Sequence, residues 1–129
     1  MTLAASYGPK VLDHYLHPRH VGSFDATNPQ VGTGLVGSPA LGQVLKLQIH
    51  LQNQQIDAAC FKVFGCGAAI AVGSLATEWL SGCNLDQALA FQSQDFVQAL
   101  ELPPEKLHCA LLGQDAIAAA VADYRSKHS

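Results

Sequence analysis

From Val44 to Leu51 the chain alternates, with Val44, Leu45, Leu47, Ile49 and Leu51 set against Lys46, Gln48 and His50, the pattern of a strand with one wet face. Asn53 and Gln54 suit a tight turn into a second alternating run, Ile56 to Phe64. Two such runs so close together predict an antiparallel hairpin, because a parallel crossover needs about a dozen residues or more. Ahead of them, Tyr7 to Leu16 reads as a short amphipathic helix, with Pro9 in its first turn and Pro18 as its stop. His17 to Gly37 is rich in Gly, Pro, Asn and Asp, which predicts loop with at most one short strand near Leu35 and Val36. After the hairpin, Gly65-Cys66-Gly67 breaks the strand, and Ala68 to Leu80 reads as a buried helix, apolar on most sides and ended by Gly82. Asp86 to Phe91 and Asp95 to Leu100 predict short helices, each with an Asn or Ser shortly before it as a cap. Past Pro103-Pro104, His108 to Tyr124 predicts a long amphipathic helix. Strands first and helices afterwards give an α+β class: a small antiparallel sheet of about three strands with helices packed on one face, as one domain over residues 1–129.

Composition narrows the function classes. A chain with 49% hydrophobic and 13% charged residues has enough apolar side chain for a core, which excludes disorder. Seven basic residues against ten acidic ones, with the basic ones scattered, leave no nucleic-acid footprint. No apolar run approaches the roughly 18 residues of a spanning helix, and no basic head precedes an apolar stretch near the start. The expectation is a soluble cytoplasmic protein with neither a nucleic-acid nor a membrane partner.

Four cysteines then carry the chemistry: Cys60, Cys66, Cys83 and Cys109. In a reducing compartment they are packing residues, metal ligands or nucleophiles rather than disulfides. Cys66 lies between two glycines at a strand-to-helix junction, where unpaired amides and the helix dipole favour a thiolate; the alternative is a small residue in a tight turn. His108-Cys109 puts an imidazole and a thiol together at the mouth of the last helix, both suited to zinc or iron, with Lys106 placed to lower the thiol pKa. The alternative there is a buried Cys beside a solvated His. Cys60 precedes Cys66 by six strand residues, about 20 Å of extended chain, and reads as packing. Cys83 follows Gly82 and reads as a surface residue. His14, His17 and His20 read as three solvated histidines, since Pro18 cuts the helix that would align them.

Many ordered segments together give a resemblance. Lys10-Val11-Leu12-Asp13-His14-Tyr15, Val21-Gly22-Ser23-Phe24, Val36-Gly37-Ser38-Pro39-Ala40, Gly65-Cys66-Gly67, Thr77-Glu78-Trp79 and Leu102-Pro103-Pro104 through Lys106-Leu107-His108-Cys109 resemble the IscU and NifU N-terminal family of iron–sulfur cluster assembly scaffolds. The resemblance implies that family's fold, with a small antiparallel sheet against helices. It implies that Cys66, His108 and Cys109 bind iron, zinc or a cluster intermediate. It further implies that Cys109 receives sulfur from a cysteine desulfurase, with Lys106 activating the thiol, and that the protein is not an enzyme. By the same resemblance, Leu102, Pro103, Pro104, Glu105 and Lys106 form a recognition segment for an Hsp70-type chaperone working with its co-chaperone, with Glu105 in place of the usual apolar residue.

One segment departs from the family. Where the family has Pro-Ala-Cys-Gly-Asp, this chain reads Pro39-Ala40-Leu41-Gly42-Gln43, so a thiolate and a carboxylate are replaced by Leu41 and Gln43. A [2Fe–2S] centre takes four protein ligands, mostly thiolates, and one chain offers two thiolates and an imidazole. A homodimer bridged by the cluster supplies four thiolates, two from each chain. The competing expectation is a non-scaffold paralogue that keeps the desulfurase and chaperone surfaces as a regulatory adaptor or sulfur carrier. A third is a fold stabilised by zinc alone.

Overall fold

In the computed structural model, which describes residues 8–128 apart from the Leu41 side chain, three antiparallel strands lie in the order β1-β2-β3. The strands are β1 (Val31–Ser38), β2 (Gln43–Gln52) and β3 (Gln55–Phe64). The helices are α1 (Pro9–Leu16), α2 (Gly67–Leu80), α3 (Leu85–Leu89), α4 (Ser93–Leu100) and α5 (Leu107–Lys127). The predicted α+β class is observed, and the predicted helix over 7–16 is seen from Pro9; Tyr7 lies outside the described residues.

The hairpin forms where its pattern places it. Asn53 and Gln54 both take positive φ (54° and 64°), the two left-handed residues a type I′ turn requires. Register pairs Leu47 with Phe61 and Ile49 with Ala59, so Leu45, Leu47, Ile49, Leu51 and Phe61 share one face and are buried there with residues of α2 and α5. On the opposite face Gln48 is also buried. Its amide is satisfied by Phe24, whose backbone N–H donates to Oε1 at 2.7 Å, and by bonds from Nε2 to the Phe24 carbonyl and the Thr33 hydroxyl. The 20–24 segment thus covers part of the face that alternation marks as wet, and Val21 bridges in parallel to Phe61.

β1 is longer than expected: in place of loop with at most one short strand near Leu35 and Val36 there is an eight-residue strand, paired with β2 from Val31↔His50 to Ser38↔Gln43. Gly32 and Gly34 are packing residues rather than turn formers. A Cβ at Gly32 would strike the Ala120 carbonyl of α5, and one at Gly34 would strike that of Ala116. Close approach of the helix backbone to the strand therefore selects glycine. Lys127 ties the other end of α5 to the segment before β1, donating to the carbonyls of Ala26 (2.7 Å), Asn28 (3.3 Å) and Val31 (2.6 Å).

Asn84 caps α3 as expected, accepting from the Gln87 N–H at 2.8 Å while Gln87 Oε1 accepts from Asn84 N–H at 2.9 Å, a reciprocal box. Ser93 does not cap α4: that start is closed by Asp95, which accepts from the Gln92 N–H, and the Ser93 N–H donates to Gln114. One histidine is not the solvated side chain the sequence suggests: His14 is buried with Nδ1 2.8 Å from the Ser74 hydroxyl, whereas His17 and His20 are exposed as expected, with His20 Nδ1 3.1 Å from the Thr77 hydroxyl. Both hydroxyls belong to α2, and His14 and His20 satisfy its only polar side chains in the core.

Candidate functional site

Three chain breaks meet at one end of the sheet. β3 stops at Phe64, Gly65 follows, and Cys66 becomes the N-cap of α2 in extended conformation (φ −82°, ψ 170°). Pro104–Lys106 make a 3₁₀ turn that runs into α5, whose third residue is Cys109. Pro39–Leu41 make another 3₁₀ turn, closed by Gly42 in the left-handed region (φ 75°), after which Gln43 opens β2. Both cysteines therefore sit at helix N-termini, where free N–H groups and the dipole favour negative charge.

The two sulfurs lie 3.6 Å apart. Cys66 is half-buried, whereas Cys109 is 0% exposed. Gln43 stands beside them, its Nε2 3.4 Å from Cys66 Sγ and 3.4 Å from His108 Nε2. With the amide donating to both, His108 Nε2 accepts, which puts the imidazole proton on Nδ1. Gly65 makes this possible, because a Cβ there would collide with Gln43 Oε1. That oxygen is itself buried and has no hydrogen-bond partner among the described residues.

Electrostatics divides the pair. The S–H of Cys109 donates to Cys66, and with the Gln43 amide, the Ala69 backbone N–H and the Lys106 charge it holds the Cys66 thiol down to about 4 despite burial. The same contact with Cys66, together with burial, pushes Cys109 far above the ordinary thiol range, and the Lys106 charge only partly opposes this. One proton is thus shared by two sulfurs, with the thiolate on Cys66. The sequence anticipates Cys109 as the sulfur acceptor with Lys106 activating it; in the structure Cys109 is buried, and half-buried Cys66 is the more accessible of the two sulfurs.

Of the predicted ligands, Cys66 and Cys109 are in contact, and exposed His108 reaches them through Gln43 rather than directly. Among the described residues no three His, Cys, Asp or Glu side chains are grouped tightly enough to hold a metal ion. Gln43, which stands in a carboxylate's place, turns its nitrogen to the site and donates. Its partnership with Cys66 was not foreseen; the signal lay in strand register, since Val44 pairs with Phe64 and so brings Gln43 beside Gly65 and Cys66. The Leu41 side chain lies outside what the structure describes.

The other predicted positions fall elsewhere. Cys60 is buried, with Sγ 3.9 Å from Gln48 Oε1 on the sheet face away from α2, as a packing residue should be; burial raises its pKa. Cys83 is half-buried rather than on the surface, and its Sγ donates to the Trp79 carbonyl at 3.1 Å. In the Leu102–Lys106 segment Pro103 has an extended backbone (φ −70°, ψ 158°), and Pro104 begins the 3₁₀ turn. Leu102 is buried in the core, while Pro104 and Glu105 are exposed.

Comparison with known proteins fits this arrangement. The family model for the NifU-like N terminal domain matches residues 6–129. The chain belongs to that family. Among relatives of this NifU-like domain, the iron-sulfur cluster assembly scaffold protein IscU of Escherichia coli (strain K12) is 54% identical over 123 residues, covering 95% of this chain and 96% of that protein. The iron-sulfur cluster assembly protein 1 of Oryza sativa subsp. japonica is 51% identical over 126 residues, covering 96% of this chain and 74% of that protein. The N-terminal part of a NifU-like protein from Brucella abortus superposes with a TM-score of 0.72 at 13% identity, covering 93% of this chain and 94% of that one, which establishes the shared fold.

Proposed function

We propose that this NifU-like domain is a scaffold on which an iron–sulfur cluster is assembled, with Cys66, Cys109 and His108 as its donors. The observation that carries the reading is the meeting of a thiolate, a thiol and an imidazole at one end of a chain 54% identical to a named assembly scaffold. The cluster is cargo rather than a resident cofactor. Within one chain the donors fall short of the four a [2Fe–2S] centre takes, and Gln43 must swing away before His108 can join the sulfurs. A cluster shared by two chains uses Cys66 and Cys109 from each. Zinc suits the same soft donors with water in its fourth position.

Sulfur comes from a cysteine desulfurase and arrives at Cys66, the more accessible of the two sulfurs, by exchange with a persulfide. An Hsp70-type chaperone and its co-chaperone release the cargo, docking on exposed Pro104 and Glu105; Leu102 joins only if the loop opens, because it is buried. The protein acts in the cytoplasm and is not itself an enzyme.

Anaerobic reconstitution with iron and sulfide tests the scaffold reading. Visible charge-transfer absorption should appear and grow steeply with protein concentration, as a cluster bridging two chains requires. No such absorption at any protein concentration would refute the reading.

A further inference from the structure

We propose that Cys66 and Cys109 form a two-cysteine sulfide-releasing pair, in which Cys66 takes up sulfur as a persulfide and Cys109 expels it by closing an intrachain disulfide. The inference rests on the sulfur-accepting part of the function proposed above and adds the fate of the sulfur.

Geometry assigns the order of the two steps. Cys66 is half-buried, and Cys109 is wholly buried 3.6 Å from it, sulfur against sulfur. A persulfide presented from outside reaches Cys66 first. Once Cys66 carries the extra sulfur, its inner atom still touches Cys109. Displacement at sulfur is in line, so attack from the buried side drives the outer sulfur toward solvent. Gln43 Nε2, 3.4 Å from Cys66 Sγ, holds that side chain at the mouth without adding negative charge where sulfide must leave. The other two cysteines are engaged elsewhere, Cys60 beside Gln48 and Cys83 on the Trp79 carbonyl, so a single pairing is available.

The chemistry balances. The Cys66 thiolate attacks the terminal sulfur of a donor persulfide R–S–SH; a new S–S bond forms, the donor's breaks, and R–S⁻ leaves. Cys109 then attacks the inner sulfur of Cys66–S–SH. The Cys66–Cys109 bond forms, the bond to the outer sulfur breaks, and that atom departs as hydrogen sulfide with its own proton and the proton of Cys109. In this step the departing sulfur gains one electron and the Cys109 sulfur loses one, while the Cys66 sulfur keeps its oxidation state between persulfide and disulfide. A thiol reductant reopens the disulfide before the next cycle.

The experiment treats reduced, metal-free protein anaerobically with one equivalent of glutathione persulfide, removes small molecules, and follows released sulfide and the mass of the Cys66 and Cys109 peptides. The native chain should release about one sulfide per chain and lose about 2 Da through a Cys66–Cys109 disulfide. Cys109→Ser and Cys109→Ala should stop at Cys66 persulfide, about 32 Da heavier, with no intrachain disulfide; two variants guard against one that fails to fold. A native chain that keeps a stable Cys66 persulfide overturns this inference and leaves sulfur acceptance standing. A native chain that takes up no sulfur at Cys66 overturns both.

Discussion

Cys66 owes its thiolate first to the S–H of Cys109, so replacing Cys109 by alanine should move the Cys66 titration upward. A hydrogen bond to a charged group contributes about 1.5–3 kcal/mol, and one pKa unit is about 1.4 kcal/mol. The contact at 3.6 Å is therefore worth about one to two units, with the Gln43 amide, the Ala69 N–H and the Lys106 charge left to hold the remainder of the shift. The assay is the initial rate of carbamidomethylation at Cys66 against pH, resolved from the other cysteines by peptide mass. In the native protein, with Cys66 at about 4, the rate should be level above about pH 5.5. In Cys109→Ala the inflection should rise by about one to two units, making the reaction at pH 5 about two- to tenfold slower. Cys109→Ser, which keeps an O–H donor, should fall between them. An unchanged inflection in Cys109→Ala, or preferential labelling of Cys109 in the native chain, would refute the division of roles.

Three further outcomes follow from the packing. Gly34→Ala drives a Cβ into the Ala116 carbonyl of α5, and overpacking of this kind should lower unfolding free energy by about 1–3 kcal/mol in urea titration. Lys127→Met removes the donor to two carbonyls before β1 and to that of its first residue, Val31; a loss of about 1–3 kcal/mol and faster hydrogen exchange over residues 25–31 are expected. Burial, and then the Arg19 charge, lower the His14 pKa from the ordinary 6.5, partly offset by Glu78 and Asp13. Protonation thus favours the unfolded chain, and stability should be full above pH 6.5 and fall below it until His14 protonates in the fold. Comparing urea midpoints at several pH values in the native chain and in His14→Asn should show this component missing from the variant.

Much of the fold was legible because its determinants are local. The β2-β3 hairpin follows from alternation on either side of Asn53-Gln54, and α2 from an apolar run after a glycine-flanked break. β1 was legible only as a short strand near Leu35 and Val36, because Gly32 and Gly34 answer to the backbone of α5, more than eighty positions later in the chain, and nothing adjacent to them reports that approach. His14 was misread for the same reason: its partner Ser74 lies on a helix that local sequence does not connect to it. At the site, Cys66, His108 and Cys109 stood out by residue type and setting. Which of the two sulfurs is the more accessible did not, since that depends on packing around both, and Gln43 became a donor only through strand register.

The scaffold reading is tested most directly by counting iron, zinc and acid-labile sulfide per chain in anaerobically purified protein. The account predicts iron and sulfide in equal amounts, about one of each per chain for a [2Fe–2S] cluster shared by two chains, and the loss of both in Cys66→Ser. Zinc without sulfide, or equal iron and sulfide retained in Cys66→Ser, would contradict it.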